Sequence, residues 1–483
     1  MKLNRQPVTR RSGIRRAFAW LTLASTSALA VEPQRAAEER LAAPLTLGAV
    51  MRAAVAHNPG VAAREKGAEV AEVERRGMAA HFGPVIRAEV NAMIWNSDNR
   101  YAFDMSAFGT LFGQLGAPAG LIVPPMSVMV RDQVTAKTTI MAVQPLLQLW
   151  QISHGVDAKK HMAESARFDA VTARRELELH VARAYFGHLS ALEMRSTLGD
   201  AERSLAAYEK QTRDYVKAGL LDRESLLKVL VQKEELAKSR LAVEKAIQLS
   251  RAQLNMLMAK PLDAELALAC AACGETSAGQ VGDLITLQEQ AMLLRPELRS
   301  GRAQRNAAAA GHRASRIKWL PDVNAIAAYN RNTGMGDLML RDEAFVGLSL
   351  NWNVWDWGAT RAEGDAAALR QSQTDLMVQS AEEGLRLQVE ERLLEVDEAK
   401  EQHAVAEAAL ALAAEALRLE ENRFAVHETE AAELIRTQMA AVKARHDVTL
   451  ATMQIELAKR ALVLATGHDL LDTLDNDTQE NAK

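Results

Sequence analysis

The sequence predicts a mainly α protein with a small β part, in which one structural unit is used twice. Three observations carry this: paired landmarks at constant offsets, long proline-free stretches of helical period, and short segments of strict alternation. Asn58-Pro59-Gly60 and Arg295-Pro296-Glu297 each open a helical stretch that ends 25 residues later at a second proline, Pro84 and Pro321, an offset of 237. Past the following hairpin, Leu146-Leu147 falls on Val354-Trp355, Ser225-Leu226-Leu227 on Glu433-Leu434-Ile435 and Leu262 on Leu470, an offset of 208. Two constant offsets mean a repeated unit of roughly 200 residues, with about 29 extra residues in the first copy.

The predicted organisation is an export signal at 1–30, an N-terminal extension at 31–46, a first repeat at 47–262, a linker at 263–283, a second repeat at 284–470 and an acidic tail at 471–483. Arg10, Arg11, Arg15 and Arg16 precede the apolar run Ala17 to Leu29, which ends in the small-residue pattern Ala28-Leu29-Ala30, so cleavage is expected after Ala30. A membrane anchor is the other reading, but the run is shorter than the roughly 20 residues a spanning helix needs. Arg15-Arg16-Ala17-Phe18 is a weaker match to a twin-arginine signal. No Cys lies near Ala30, so no N-terminal lipid anchor is expected there. Beyond residue 30 no apolar run approaches 18 residues, so any membrane crossing is by β-strands.

The first repeat opens with a helical stretch from Leu47 to about Ala80, about 50 Å long. From about Trp150 to Tyr215 there is no proline, and Val181, Tyr185, Leu189 and Leu192 recur at three- and four-residue steps. That helix spans about 98 Å, and a partner from about Asp222 to Met258 spans about 55 Å. The second repeat returns the pattern at about Ile285 to Lys318, Ala359 to Arg423 and Ala431 to Ala465. Hydrophobic content is 48% with only 4% aromatics, so the helices pack through Ala, Leu and Val. A helix this long cannot bury its stripe on itself and needs partners of similar length, which makes the molecule an elongated rod or tube.

Between the proline stops and the long helices the period changes to two. Ile86, Ala88, Val90, Ala92 and Ile94 alternate with Arg87, Glu89 and Asn91, and Val134, Ala136, Ile140 and Ala142 with Gln133, Thr135, Lys137 and Thr139. In the second repeat Val346, Leu348, Leu350 and Trp352 alternate with Phe345, Gly347, Ser349 and Asn351, and the segment after Pro321 is weaker. Each copy supplies one hairpin. Four strands cannot close a membrane barrel, since barrels start at about eight, so further copies of the chain must complete it: two copies give eight strands, three give twelve. The first hairpin's excess, around Asn96 to Met129, is rich in Gly and Pro and reads as a long irregular loop.

The net charge of −4, with 58 basic and 62 acidic residues and no basic block outside the N-terminus, gives no support for nucleic acid as a partner. The chain carries no Gly-rich phosphate loop, Gly-x-Ser-x-Gly elbow or close-spaced metal cluster, so neither an enzyme nor a cofactor is expected.

In order and spacing these residues resemble the TolC family of outer-membrane efflux ducts. Leu45-Thr46-Leu47 through His57-Asn58-Pro59 is similar to the family's opening motif and Arg295-Pro296-Glu297 to its repeat. Trp319-Leu320-Pro321 is similar to the entry of the second hairpin, and Val354-Trp355-Asp356-Trp357-Gly358 to the return strand. The resemblance implies a homotrimer, with four strands per chain in a 12-stranded transmembrane β-barrel and long antiparallel coiled-coil helices in a trimeric α-barrel below. It further implies the outer membrane with a long periplasmic extension, a periplasmic adaptor (membrane fusion) protein, and an inner-membrane pump of RND or ABC type. Small-molecule or metal efflux and type I protein secretion both fit this fold. From another class, a periplasmic coiled-coil scaffold without a pore is the competing reading.

The family's helix-to-helix turns are its periplasmic tips. Here Tyr215 through Gly219, Leu220 and Leu221, followed by Ser225 and Leu226, resembles one tip. Arg423-Phe424-Ala425-Val426-His427, followed by Glu433 and Leu434, resembles the other. Adaptor contacts are therefore expected at Gly219, Leu220, Leu221, Ser225, Leu226, Val426, His427 and Leu434, and a periplasmic gate among Arg423, Glu433 and Arg436. Gly219 suits a stop needing positive φ; His427 stands where the family has Gly, so a differently shaped second tip is expected.

Cys270 and Cys273 in the linker read as a short-loop disulfide after export, with redox exchange and metal binding as the alternatives. Trp352, Trp355 and Trp357, with Trp150 at the matching end of the first hairpin, read as an interface belt, a substrate site being the alternative. Met105, Met126 and Met129 in the first loop fit adaptable packing better than copper handling. His154 and His161 share a helix face and read as packing.

Overall fold

The computed structural model describes residues 44–473 except 104, 106–110, 112–113, 117–125, 270–281, 337–338 and 427. The export signal, Cys270, Cys273 and His427 lie outside the described residues, as do most of the N-terminal extension and of the acidic tail.

In chain order the elements are α1 (Leu47–His57), α2 (Pro59–Ala80), β1 (Val85–Ile94), β2 (Asn99–Phe103), β3 (Met126–Arg131), β4 (Val134–Pro145), α3 (Leu149–Lys217) and α4 (Arg223–Leu257). The second half follows with α5 (Leu284–Leu294), α6 (Pro296–Ile317), β5 (Asp322–Thr333), β6 (Asp342–Asn351), α7 (Ala359–Ala425) and α8 (Ala431–Ala465). The 69 residues of α3 and 67 of α7 give rods of about 100 Å.

The opening stretch, expected as one helix of about 50 Å, is two. Pro59 has no N–H and pushes Asn58 into extended backbone (φ −69°, ψ 121°), so the helix breaks there. Asn58 then restarts the chain: its Oδ1 accepts from the N–H of Gly60 (2.8 Å) and of Val61 (3.4 Å), and its Nδ2 donates to the Leu257 carbonyl at the end of α4 (3.2 Å). Arg295 precedes Pro296 with the same backbone (φ −63°, ψ 121°). Its guanidinium donates to the Leu464 carbonyl in the last turn of α8 (3.2 Å), to Gln388 (2.9 Å) and to Glu297 (3.0 Å). Two different side chains thus tie the break in each half to the end of that half's last helix, satisfying a carbonyl that helix geometry leaves unpaired.

The main core sits at mid-height, where α1, α3, α4 and the segment after α8 meet: Leu47, Val50, Met51, Val181, Tyr185, Phe186, Leu254 and Leu470 are all nearly inaccessible. The Tyr185 hydroxyl lies 2.6 Å from the Ala269 carbonyl and 3.1 Å from that of Leu45, closing a short parallel bridge between Leu45 and Leu268. Gly467 (φ 91°) ends α8 against the α5–α6 joint. A Cβ there would stand 2.7 Å from Leu294 Cβ, so both conformation and space demand glycine.

Glu178 of α3 is fully buried near this core, with Arg174 Nε 3.3 Å from its Oε1 and Arg174 Nη2 3.8 Å from Asp469. Burial, reinforced by the nearby Asp469 carboxyl, pushes its carboxyl up to about 8 against the opposing pull of Arg174. A carboxyl raised above its unfolded value of about 4.3 stabilises fully below that value, and the contribution is lost as pH rises through about 8. Thermal midpoints should therefore fall between pH 5 and 8, with a stability slope on the order of 1 kcal/mol per pH unit from this group. Glu178→Gln, which keeps the neutral hydrogen-bonding form, should flatten that slope; an unchanged pH profile would refute the assignment.

Candidate functional site

The four long strands form one antiparallel sheet in the order β1-β4-β5-β6, with lengths of 10, 12, 12 and 10 residues. Its register sorts the side chains by face. Ile86 pairs with Ala142, which pairs with Ala327, which pairs with Val346; Ala88 pairs with Ile140, then Tyr329, then Ala344. Since partners and next-but-one residues share a face, Ile86, Val90 and Ile94 lie with Ile140, Ala325, Val346, Leu348 and Leu350 on one apolar side. The opposite side carries Arg87, Glu89, Asn91, Lys137, Thr139, Asn330 and Glu343, with the Thr139 hydroxyl donating to Asn330 Oδ1 (2.9 Å). The weak segment after Pro321 is thus a full central strand, because β4 and β6 flank it.

The apolar face is bare. Val346 is 85% exposed, Ile94 84% and Leu348 75%. Strands β1 and β6 are unpaired on their outer edges, which soluble proteins avoid. The long first loop is less irregular than expected: β2 and β3 pair into a second sheet of two strands beyond the first. Asp132 N–H donates to the Gly334 carbonyl (2.7 Å), and the guanidinium of Arg131 lies 3.9 Å from the Trp95 ring centre, so this arm is fastened to the turn between β5 and β6 and to the end of β1.

The helices repeat the open-edged arrangement. In the half nearer the sheet the packing order is α2, α3, α6, α7; in the far half it is α4, α3, α8, α7. The outermost helices carry apolar stripes that none of the described residues covers. On α7 these are Leu369, Leu376, Leu387, Leu394, Val405, Leu412 and Leu419, continued by Val426, and on α4 Leu227, Val231, Leu241, Leu249 and Met256. Steps of 7 residues drift about 20° one way on an α-helix and steps of 11 about 20° the other, so the alternating 7 and 11 steps from Leu369 to Leu412 hold that part of the stripe on one line. That spacing is plain in the sequence once sought; a search for three- and four-residue steps passes over it.

At the far end the two helical hairpins turn back. The first turn closes with Gly219 at φ 73°, Gly219 N–H donating to the Val216 carbonyl (3.1 Å) and Leu220 N–H to that of Tyr215 (2.9 Å), the paired bonds of a Schellman stop. The second turn makes the equivalent long bond, Glu428 N–H to the Arg423 carbonyl (2.9 Å), around position 427. The two turns share this long bond, while His427, where a different shape was expected, lies outside the described residues. Lys228 bridges the two turns, 3.0 Å from Glu224 and 3.5 Å from Glu430, and these carboxylates raise its pKa.

Residues 287–468, essentially the second half, match the model of the outer membrane efflux protein family. These residues carry that family's domain. Three solved outer-membrane proteins share the fold of the chain. CusC is 13% identical with a TM-score of 0.72, covering 87% of this chain and 92% of its own. VceC of Vibrio cholerae is 14% identical at 0.69, covering 87% and 96%. The MtrE channel of Neisseria gonorrhoeae is 16% identical at 0.69, covering 88% and 89%. No curated relative matches by sequence. The family and these neighbours are channel proteins, not enzymes. Among the described residues no cluster of His, Cys, Asp or Glu fits a metal ion, and no helix is long and apolar enough to cross a membrane.

In this chain the predicted tip residues separate into accessible and buried ones. Leu220 and Val426 are 57% and 62% exposed, Gly219 is open to solvent, and Leu221, Ser225 and Leu226 are half-buried. Leu434 is 1% exposed and so cannot offer a contact surface: it packs with Leu198, Leu205, Val229, Leu236 and Phe424, where the two hairpins meet. The predicted gate charges do not pair as one set. Arg423 Nη1 lies 3.5 Å from Glu420 and Arg436 pairs with Glu433, each within a turn of its own helix, while Thr429 donates to Glu420. Tyr208 donates to Glu421 across the hairpins (2.5 Å).

Proposed function

We propose that three copies of this chain close into an outer-membrane exit duct of a tripartite export system, taking cargo from a periplasmic adaptor and an inner-membrane pump of RND or ABC type. The observation that carries the reading is the matched incompleteness of two layers. A four-stranded sheet with one bare apolar face and two free edges continues into a helical layer about 100 Å long whose two outer helices present uncovered stripes. Cyclic, head-to-tail packing satisfies both at once, joining β6 to the next copy's β1 and α7 to its α2 and α4. Twelve strands make a barrel with lipid outside and the Arg87, Asn91 and Lys137 face lining water.

The chain then runs from the outer membrane into the periplasm, with the exposed tip residues Gly219, Leu220 and Val426 and the half-buried Leu221, Ser225 and Leu226 meeting the adaptor. Arg423 and Arg436 are exposed and held by short ion pairs on their own helices, so a gate built from them works between copies and not within one. Energy for export comes from the pump.

Purified protein in detergent should have the mass of three chains, and in planar bilayers it should pass ions. A monomer that stays soluble in the periplasm and conducts nothing would replace the duct with a coiled-coil scaffold.

A further inference from the structure

Between the mid-height core and the sheet, the layer of α2, α3, α6 and α7 carries a hollow of about 460 Å³ that all four helices line. A hollow reached from four successive helices of one layer lies on its concave side. The turns of α3 agree with this. Val181 and Tyr185 face α1 and the main core, whereas Asp169, Thr172, Ala173 and Glu176 in the hollow stand about half a turn round from them at 3.6 residues per turn. A second hollow of about 580 Å³ adjoins the first, sharing Gln304 and Thr374, and runs toward the sheet over Ala307, Ala308, Gly311 and Ala314 of α6. Its α3 members Gln151, Ala158 and Met162 lead on to Asp169 at steps of 7, 4 and 7, so both hollows open on one side of the layer. When copies close into a ring, that concave side is the inner wall of the duct.

The first hollow sets charge beside an apolar wall. Its α7 side is Met377, Val378 and Ala381, and its α3 side brings Asp169 and Glu176. Asp169 is held by a chain of hydrogen bonds through the helix seam. Ser300 Oγ donates to its Oδ1 (2.6 Å), Ser165 and Ser300 share a bond of 2.9 Å, and Gln304 Nε2 donates to Ser165 (3.1 Å). Neither Asp169 nor Glu176 has a cationic partner among the described residues. Glu297, the third carboxylate of the lining, is engaged by Arg295 (3.0 Å), and Arg64 at the α2 margin is the one cation of the lining. A hydrated inorganic ion gains nothing from the apolar wall, and a neutral apolar molecule gains nothing from the carboxylates. The ligand that uses both carries a positive charge on an apolar body. We infer that this hollow is a wall site for amphipathic organic cations in transit, the cationic centre lying by Asp169 and Glu176 and the apolar body against Met377, Val378 and the alanines of the second hollow. The inference rests on the duct reading.

The test is single-channel current of the full mature protein in planar bilayers, with benzyltrimethylammonium as the probe because its charge does not titrate. It should block the current reversibly, whereas tetramethylammonium, which lacks the ring, and benzenesulfonate, which lacks the cation, should block little. Asp169→Asn plus Glu176→Gln should raise the half-blocking concentration about tenfold, the effect of two partly exposed charge contacts. Glu176→Gln alone, which removes no hydrogen bond of the fold, should raise it about threefold. Glu89→Gln plus Glu343→Gln takes the same charge from the polar face of the sheet and should leave block unchanged. Equal shifts in the two double variants, block by tetramethylammonium as strong as by the probe, or a conducting native protein that the probe does not block would each overturn the wall site and leave the duct intact. Protein that never conducts would overturn the duct reading and the site with it.

Discussion

Val346→Arg should abolish assembly in the outer membrane, whereas Ser349→Arg, on the same strand, should be tolerated. Val346 lies at the middle of the ten-residue β6, 85% exposed and on the face that also carries Ile86, Ala142 and Ala327. Side chains alternate at every residue, so three positions on Ser349 points to the polar side, paired with Asn324. An arginine on the lipid face costs about 2–4 kcal/mol at the bilayer midplane and nearly nothing in an aqueous lumen. In a trimer that cost enters three times, which exceeds much of a typical protein's net stability. Heat-resistant trimers on unheated gels, scored in isolated outer membranes, report the outcome. Equal tolerance of both substitutions would mean that the bare face does not meet lipid, and the barrel reading would fall.

At the opposite end of the molecule, Leu434→Ala should destabilise the fold by about 2–5 kcal/mol, the cost of a cavity in a packed site. Leu220→Ala should stay within about 0.5 kcal/mol. The two leucines sit near the two tips, Leu434 in the first turn of α8 and Leu220 just after the Gly219 stop, and differ in exposure, 1% against 57%. Leu434 fills the space between the hairpins beside Phe424, Val229 and Leu236, whereas Leu220 follows the Gly219 stop and points away. Binding should divide the other way: Leu220→Ala weakens adaptor capture by the folded trimer, and Leu434→Ala affects capture only in proportion to lost folded protein. Thermal unfolding and crosslinking to the adaptor separate these effects. A Leu434→Ala protein with native stability and lost capture would put that residue back on the docking surface.

Much of this fold was legible because its periodicities are local. The offsets of 237 and 208, the proline stops and the two-residue alternation of Ile86 to Ile94 each depend on a few neighbouring residues, and they located the helices and hairpins to within a few positions. The break at Asn58-Pro59 was masked because the helical period continues on both sides of it, although proline lacks an N–H whatever surrounds it. The strand after Pro321 was faint because a central strand draws its pairing from both neighbours and needs less pattern of its own. The β2–β3 arm was hidden by the Gly and Pro content around it.

The tips show the boundary most sharply. Tyr215 to Leu221 dictates a Schellman stop, and the backbone bonds are those the residues call for. Whether a leucine after such a stop faces solvent or the neighbouring hairpin depends on where α3 and α8 cross, and residues more than 200 positions apart decide that crossing. Likewise Arg423, Glu433 and Arg436 were recognisable as a charged set. Their partners, Glu420 and Glu433, stand three residues away on the same helix, a spacing the sequence already carries.

The sequence by itself determined the repeat, the period of every long element, the places where helices must stop and the amphipathic character of the strands, because each follows from backbone sterics and side-chain spacing over a turn or two. Only the tertiary structure decided which apolar residues the chain buries and which it leaves bare. Burial depends on register across β1, β4, β5 and β6 and on the order of helices in the layer, and both are set by contacts between distant segments. The bare residues, from Val346 on the sheet to Leu412 on α7, are the ones that the proposed duct would set against lipid and further copies of the chain.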